Sequence, residues 1–145
     1  MSDLQSLYQQ VILDHAREKH GYGLRDDAAA SSHQYNPTCG DEVTVGVHPD
    51  ADGRIHAISW EGHGCSISTA SASLLSDLVH DTGRSELTAS IAAFRELMQS
   101  KGALEGDEEL LGDAVALAGV SRYVTRVKCA MLPWVALEDA LLKSA

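Results

Sequence analysis

Three cysteines occur in 145 residues, each inside a distinctive stretch: Asn36-Pro37-Thr38-Cys39-Gly40-Asp41, Gly62-His63-Gly64-Cys65-Ser66-Ile67-Ser68 and Arg126-Val127-Lys128-Cys129-Ala130. Three soft sulfur donors suit zinc or iron, and the carboxylate of Asp41, two residues past Cys39, is a fourth donor. These residue types predict a four-coordinate metal site of Cys39, Asp41, Cys65 and Cys129. The competing reading makes one or more of the cysteines small buried hydrophobes, a common use of free cysteine. A Gly or Lys beside the cysteine in each of the three motifs weighs against it. His63 is an alternate ligand, but four better donors exist, and His15, His20, His33, His48, His56 and His80 show that histidine is used freely in this chain.

Several elements must converge to build such a site. Leu4, Leu7, Tyr8, Val11, Ile12 and His15 recur at helical spacing, predicting an amphipathic helix over residues 3 to 19 with Asp3 as its cap. Gly21-Tyr22-Gly23 ends it, residues 26 to 32 read as a mobile polar connection, and the core resumes near Tyr35. Val43, Val45 and Val47 alternate with Thr44 and Gly46, a turn follows at residues 49 to 53, and a second apolar run spans residues 55 to 60. That is a hairpin signal, and counting its register places Cys39 opposite positions 64 to 66. Cys65 then opens a helix carrying Ile67, Ala70, Leu74, Leu75 and Leu78 on one stripe. A helix N-terminus favours a thiolate through its dipole and unpaired N–H groups. Gly62 and Gly64 let the backbone approach whatever Cys65 binds.

A further helix is expected over residues 87 to 100, buried through Ile91, Phe94, Leu97 and Met98, then a break over residues 102 to 107 and a short helical piece with Leu110, Leu111, Val115 and Leu117. The last element, residues 123 to 143, has Val127, Met131, Trp134, Leu137, Leu141 and Leu142 as its expected inner face, with Cys129 near its start. Pro133 falls inside it, either as tolerated strain, the favoured reading, or as a kink that opens the site.

Bulk properties narrow the function. At 145 residues and 44% hydrophobic content, residues 1–145 are expected to form one domain with a real core. Twenty-one acidic against 11 basic residues, a formal charge of −10, argue against a nucleic-acid partner. Neither a leader pattern nor a membrane span is visible, and the odd cysteine count speaks against disulfides, so a cytoplasmic protein with reduced thiols is expected.

From Leu7-Tyr8-Gln9-Gln10-Val11-Ile12-Leu13-Asp14-His15 through the three cysteine motifs, in this order, the sequence resembles the IscU/NifU-type iron–sulfur assembly proteins, and within them the SufU-type sulfur-transfer branch. In the scaffold branch a histidine precedes the third cysteine and the segment between the second and third cysteines is several helical turns shorter. Here the residue is Lys128 and the two cysteines stand 64 positions apart. The resemblance implies an α+β fold, a small antiparallel sheet of about three strands covered by several helices. It implies zinc held by Cys39, Asp41, Cys65 and Cys129, sulfur accepted from a SufS-type cysteine desulfurase, and the SufBCD scaffold complex as recipient.

Cys39 is the expected sulfur acceptor because Gly40 lets its loop swing, whereas Cys65 and Cys129 are rooted in helices. A partner histidine that replaces Cys39 as ligand would free it to attack a persulfide, since a metal-locked thiolate is a poor nucleophile. Arg126 and Lys128 are positioned to offset the site's negative charge, Arg126 by pairing with Asp41 or a partner group, or are simply solvated charges. Two rivals remain: an IscU-like scaffold assembling a [2Fe–2S] cluster on the same ligands, and a structural zinc module without sulfur chemistry.

Overall fold

Val43, Val45 and Val47 lie on one face of β2 (Asp41–Pro49), where β-branched side chains pack well on a pleated surface. The structure, a computed structural model, describes residues 3–38 and 40–144. β2 is the middle strand of an antiparallel sheet, between β1 (Ala30–Asn36) and β3 (Ile55–His63). The β2–β3 register pairs Val45 with Trp60 and Glu42 with His63, with an irregularity at His48/Pro49 beside the turn. This is the predicted hairpin.

Helices cover the valine face. α5 (Val124–Lys143) packs on β1 and β2, and α2 (Ser66–Leu78) meets β3 and α5. α1 (Asp3–Glu18) lies along α2, while α3 (Arg84–Gln99), α4 (Glu108–Leu111) and a 3-10 segment (Gly112–Arg122) complete the helical side. The α+β architecture is thus the one expected. Among the described residues no helix is long and apolar enough to cross a membrane.

Several expectations need correction. The polar stretch read as a mobile connection over residues 26 to 32 turns into β1 at Ala30, and Tyr35, read as the return of the core, is 55% exposed. The inward positions of β1 are instead Ser32 and Asn36, both buried. Ser32 is tolerated there because its hydroxyl donates to the Asp139 carboxylate on α5 at 2.7 Å. Leu142 is 73% exposed: the buried stripe of α5 runs through Ala130, Trp134, Leu137 and Leu141, and the next residue is rotated about 100° off it. The region after Leu111 tightens into the 3-10 segment rather than continuing as an α-helix. The cap assigned to Asp3 concerns a side chain outside the described residues.

α5 runs through Pro133 without ending. Proline has no N–H for the carbonyl four residues earlier, that of Cys129. A buried chain of hydrogen bonds spans this point: Trp134 Nε1–H donates to Ser71 Oγ at 2.9 Å, and the Ser71 hydroxyl donates to the Ala130 carbonyl at 2.6 Å. The Trp134 ring stacks on Phe94, centroids 4.0 Å apart. Ser71 therefore joins α2 to α5 in the interior. Ser71→Ala leaves a buried indole N–H without its acceptor and is expected to cost about 1–3 kcal/mol in urea unfolding; an unchanged midpoint would show that the chain contributes nothing.

Candidate metal centre

The hairpin register carries the chain to the site. Beyond the Glu42–His63 pair, at the open end of β2 and β3, come Asp41 on one side and Gly64 then Cys65 on the other. Asp41 is only 2% exposed. A carboxylate so buried requires donors, and α2 supplies one: the Cys65 N–H, at the N-cap of the helix, donates to Asp41 Oδ1 at 3.0 Å. The Cys65 thiol lies 3.3 Å from Asp41 Oδ2 and does not cap the helix itself. Ser68 secures this turn, its hydroxyl donating to the Cys65 carbonyl at 3.0 Å with Oγ 3.9 Å from the Cys65 sulfur.

Cys129 arrives from α5 and is 1% exposed. It was expected near a helix start. It sits in the second turn instead, its thiol 3.7 Å from the Thr125 carbonyl, so the argument from unpaired N–H groups at a helix start applies to Cys65 alone. One donor atom each from Asp41, Cys65 and Cys129 lie within 4.8 Å of one another. A tetrahedral zinc with bonds of about 2.0–2.3 Å needs donors about 3.3–3.8 Å apart, a spacing that Cys65 Sγ and Asp41 Oδ2 already meet at 3.3 Å. Two sulfurs and a carboxylate in a buried corner fit zinc, and fit iron by the same softness.

The fourth predicted ligand, Cys39, lies outside the described residues. Its neighbours are held in a turn leading into β2: the Asn36 carbonyl accepts the Gly40 N–H at 2.8 Å, and Asn36 Oδ1 accepts the Thr38 N–H at 3.1 Å. Gly40 has φ +75°, the left-handed region that glycine enters without strain. Arg126 and Lys128 are exposed on the first turns of α5, and neither forms an ion pair with another described residue. His63 is exposed and its Nε2 lies 2.8 Å from Glu42 Oε1, on the strand positions alternate to Asp41. Ser68 is a site residue that the motif pattern alone does not assign; its place three residues after the N-cap is the signal for it.

Residues 7–130 match the family model of the NifU-like N terminal domain. The iron–sulfur cluster assembly scaffold protein IscU of Streptococcus pyogenes serotype M1 is 39% identical over 145 residues, 100% of this chain and 89% of that protein. The zinc-dependent sulfurtransferase SufU of Bacillus subtilis (strain 168) is 37% identical over 143 residues, 98% of this chain and 94% of that protein. A crystal structure from Fervidobacterium islandicum AW-1, described as an iron–sulfur cluster assembly scaffold protein for the SUF system, superposes with a TM-score of 0.83 at 33% identity, covering 94% and 98% of the two chains.

Gly64 tests the Asp41 assignment. A methyl group there would lie 2.5 Å from Asp41 Oδ1 and 2.7 Å from Ser68 Oγ, so the carboxylate must move. Gly64→Ala is expected to weaken zinc about 10–100-fold in competition with a chromogenic chelator, with the circular dichroism spectrum retained. Unaltered affinity in the folded variant would remove Asp41 from the ligand set.

Proposed function

Since the chain belongs to the family of NifU-like N-terminal domains, we propose that it serves iron–sulfur cluster assembly as a zinc-dependent sulfurtransferase. The observation that carries this reading is the meeting of Asp41, Cys65 and Cys129, brought from a strand, a helix start and a helix interior to one buried corner. With Cys39 they form the donor set of a closed zinc site. Bound zinc would keep the thiolates deprotonated while lowering their reactivity.

Among the cysteines, Cys39 is the sulfur acceptor. Cys129 is enclosed in the core and Cys65 is tied through its N–H to Asp41, whereas Cys39 is followed by Gly40, a residue type with the widest backbone freedom. The Cys39 thiolate attacks the outer sulfur of a cysteine persulfide on a SufS-type desulfurase. A new S–S bond forms at Cys39, the partner's S–S bond breaks, and the partner cysteine leaves as a thiolate. Sulfur then passes to a SufBCD-type complex in the cytoplasm. A formal charge of −10 favours encounter with basic partner surfaces.

A second reading, a scaffold for a [2Fe–2S] cluster, is favoured by the scaffold name of the 39% identical relative. Against it stands Lys128: an exposed ammonium has no lone pair to offer iron at neutral pH, so histidine's possible contribution beside the third cysteine is missing. The deciding experiment is cysteine-dependent alanine production by the cognate desulfurase, with and without the zinc-loaded protein. Strong stimulation, abolished by Cys39→Ala with zinc still bound, is the expected result. Absent stimulation together with assembly of a stable [2Fe–2S] chromophore would establish the scaffold instead.

A further inference from the structure

His15, His20 and Asp77 also bring one donor atom each within 4.8 Å of one another, and they lie where α1 passes the end of α2. Asp77 is 11 residues beyond the first residue of α2, about 17 Å along its axis from the thiolate corner. His20 Nδ1 stands 2.9 Å from Asp77 Oδ2, and His15 Nε2 stands 3.8 Å from the same oxygen. The second separation is too long for a hydrogen bond but close to the spacing of two donors sharing one ion. A simple imidazolium–carboxylate clasp needs one histidine. Here two rings, centroids 4.8 Å apart and edge to face, converge on one carboxylate.

The other nitrogen of each ring is already supported. His20 Nε2 lies 3.1 Å from Glu18 Oε1, and His15 Nδ1 lies 2.7 Å from Ser73 Oγ, which also accepts the His20 backbone N–H at 2.9 Å. Metal-bound histidines are oriented by just such outer partners, a carboxylate or an oxygen on the nitrogen that faces away from the ion. With Nδ1–H donated to Ser73, the His15 Nε2 lone pair faces Asp77. His15 is buried, while His20 and Asp77 are each partly open to solvent, which leaves a route in and room for water as a further ligand.

We propose that His15, His20 and Asp77 form a second, sulfur-free site for a divalent first-row transition ion such as zinc. The ion takes the place of the proton between His20 Nδ1 and Asp77, and that proton goes to solvent. Two imidazoles and a carboxylate make this a harder site than the thiolate corner, so the two differ in metal preference. Occupancy cross-links α1 to α2.

Cobalt(II) separates the sites, because thiolate ligation gives intense near-ultraviolet charge-transfer absorption and nitrogen–oxygen ligation gives only weak visible bands. Titration of the metal-free, reduced protein is expected to show two equivalents bound, one with and one without charge transfer. His20→Gln and Asp77→Asn are expected each to lose the second equivalent and keep the charge-transfer intensity, while the Cys65→Ser, Cys129→Ser double variant keeps the second. Binding of one equivalent in the parent, or a second equivalent indifferent to both His20→Gln and Asp77→Asn, overturns the proposal. Should those variants not fold, the parent decides through paramagnetic broadening of the His15 and His20 ring protons at the second equivalent; unbroadened rings would place the ion elsewhere. Loss of sulfur acceptance would leave this result untouched, since the two readings share no residue.

Discussion

A buried carboxylate at the end of a strand is the constraint around which this molecule is arranged. Asp41 is removed from water at the mouth of the hairpin, where an ionised group without partners is strongly disfavoured. The Cys65 N–H at the start of α2 answers it at Oδ1, with the Cys65 thiol 3.3 Å from Oδ2, and this contact fastens the sheet to the helix that follows. The junction is compressed as well as polar. Gly62, at φ +155°, has the Glu42 backbone where a Cβ would be, and Gly64 has the Asp41 carboxylate there. Side chains are excluded at both positions because the backbone of β2 and the site occupy that volume. The acidic corner, the two glycines and the helix start are therefore one structural decision.

The helical side supplies the remaining donor with a different kind of rigidity. Cys129 is placed by a helix that cannot complete its own ladder, because Pro133 offers no N–H at the position facing the Cys129 carbonyl. Continuity is maintained by the surrounding core: Ser71 bridges Trp134 and the Ala130 carbonyl, and Phe94 stacks on the indole. Breaking the helix here would disrupt α2, α3 and α5 together. Cys129 is consequently held by packing, in contrast to Thr38 and Gly40, which are held by local hydrogen bonds to Asn36. The Cys129 thiol is thus anchored where α2, α3 and α5 interlock.

Legibility in the sequence follows the same physics. The hairpin could be read because Val43, Val45 and Val47 alternate about a turn; counting its register gathered Cys39, Asp41 and Cys65 at one end of the sheet, and of these Asp41 and Cys65 are seen to meet there. β1 escaped because its inward positions are Ser32 and Asn36, so the alternation that marks a half-buried strand is absent; Ser32 is satisfied by Asp139, 107 residues away. No local pattern encodes that partner. Leu142 was misplaced for a related reason: periodicity gives the spacing along a helix but not the residue at which packing ends, whereas the start of α5 at Val124 lies where it was expected. The His15, His20 and Asp77 cluster was hidden altogether, since 57 positions separate His20 from Asp77 and His15 also satisfies the spacing of an apolar stripe.

α2 connects the two clusters and explains why they need not interfere. Its first residue follows a thiol, its last turn carries a carboxylate, and its middle presents Ser71 to α5 and Ser73 to α1. Small hydroxyl residues there allow close approach on two sides while still meeting buried polar groups, a combination that leucine at those positions would forbid. The helix thus keeps a sulfur-rich corner and a nitrogen–oxygen corner about 17 Å apart with no ligand in common. Donor softness then does the sorting: thiolates favour zinc or iron, while two imidazoles and a carboxylate accept a broader range of divalent ions. An ion that enters at one end has no reason to migrate to the other, and a thiol that leaves the first site to react would leave the second intact.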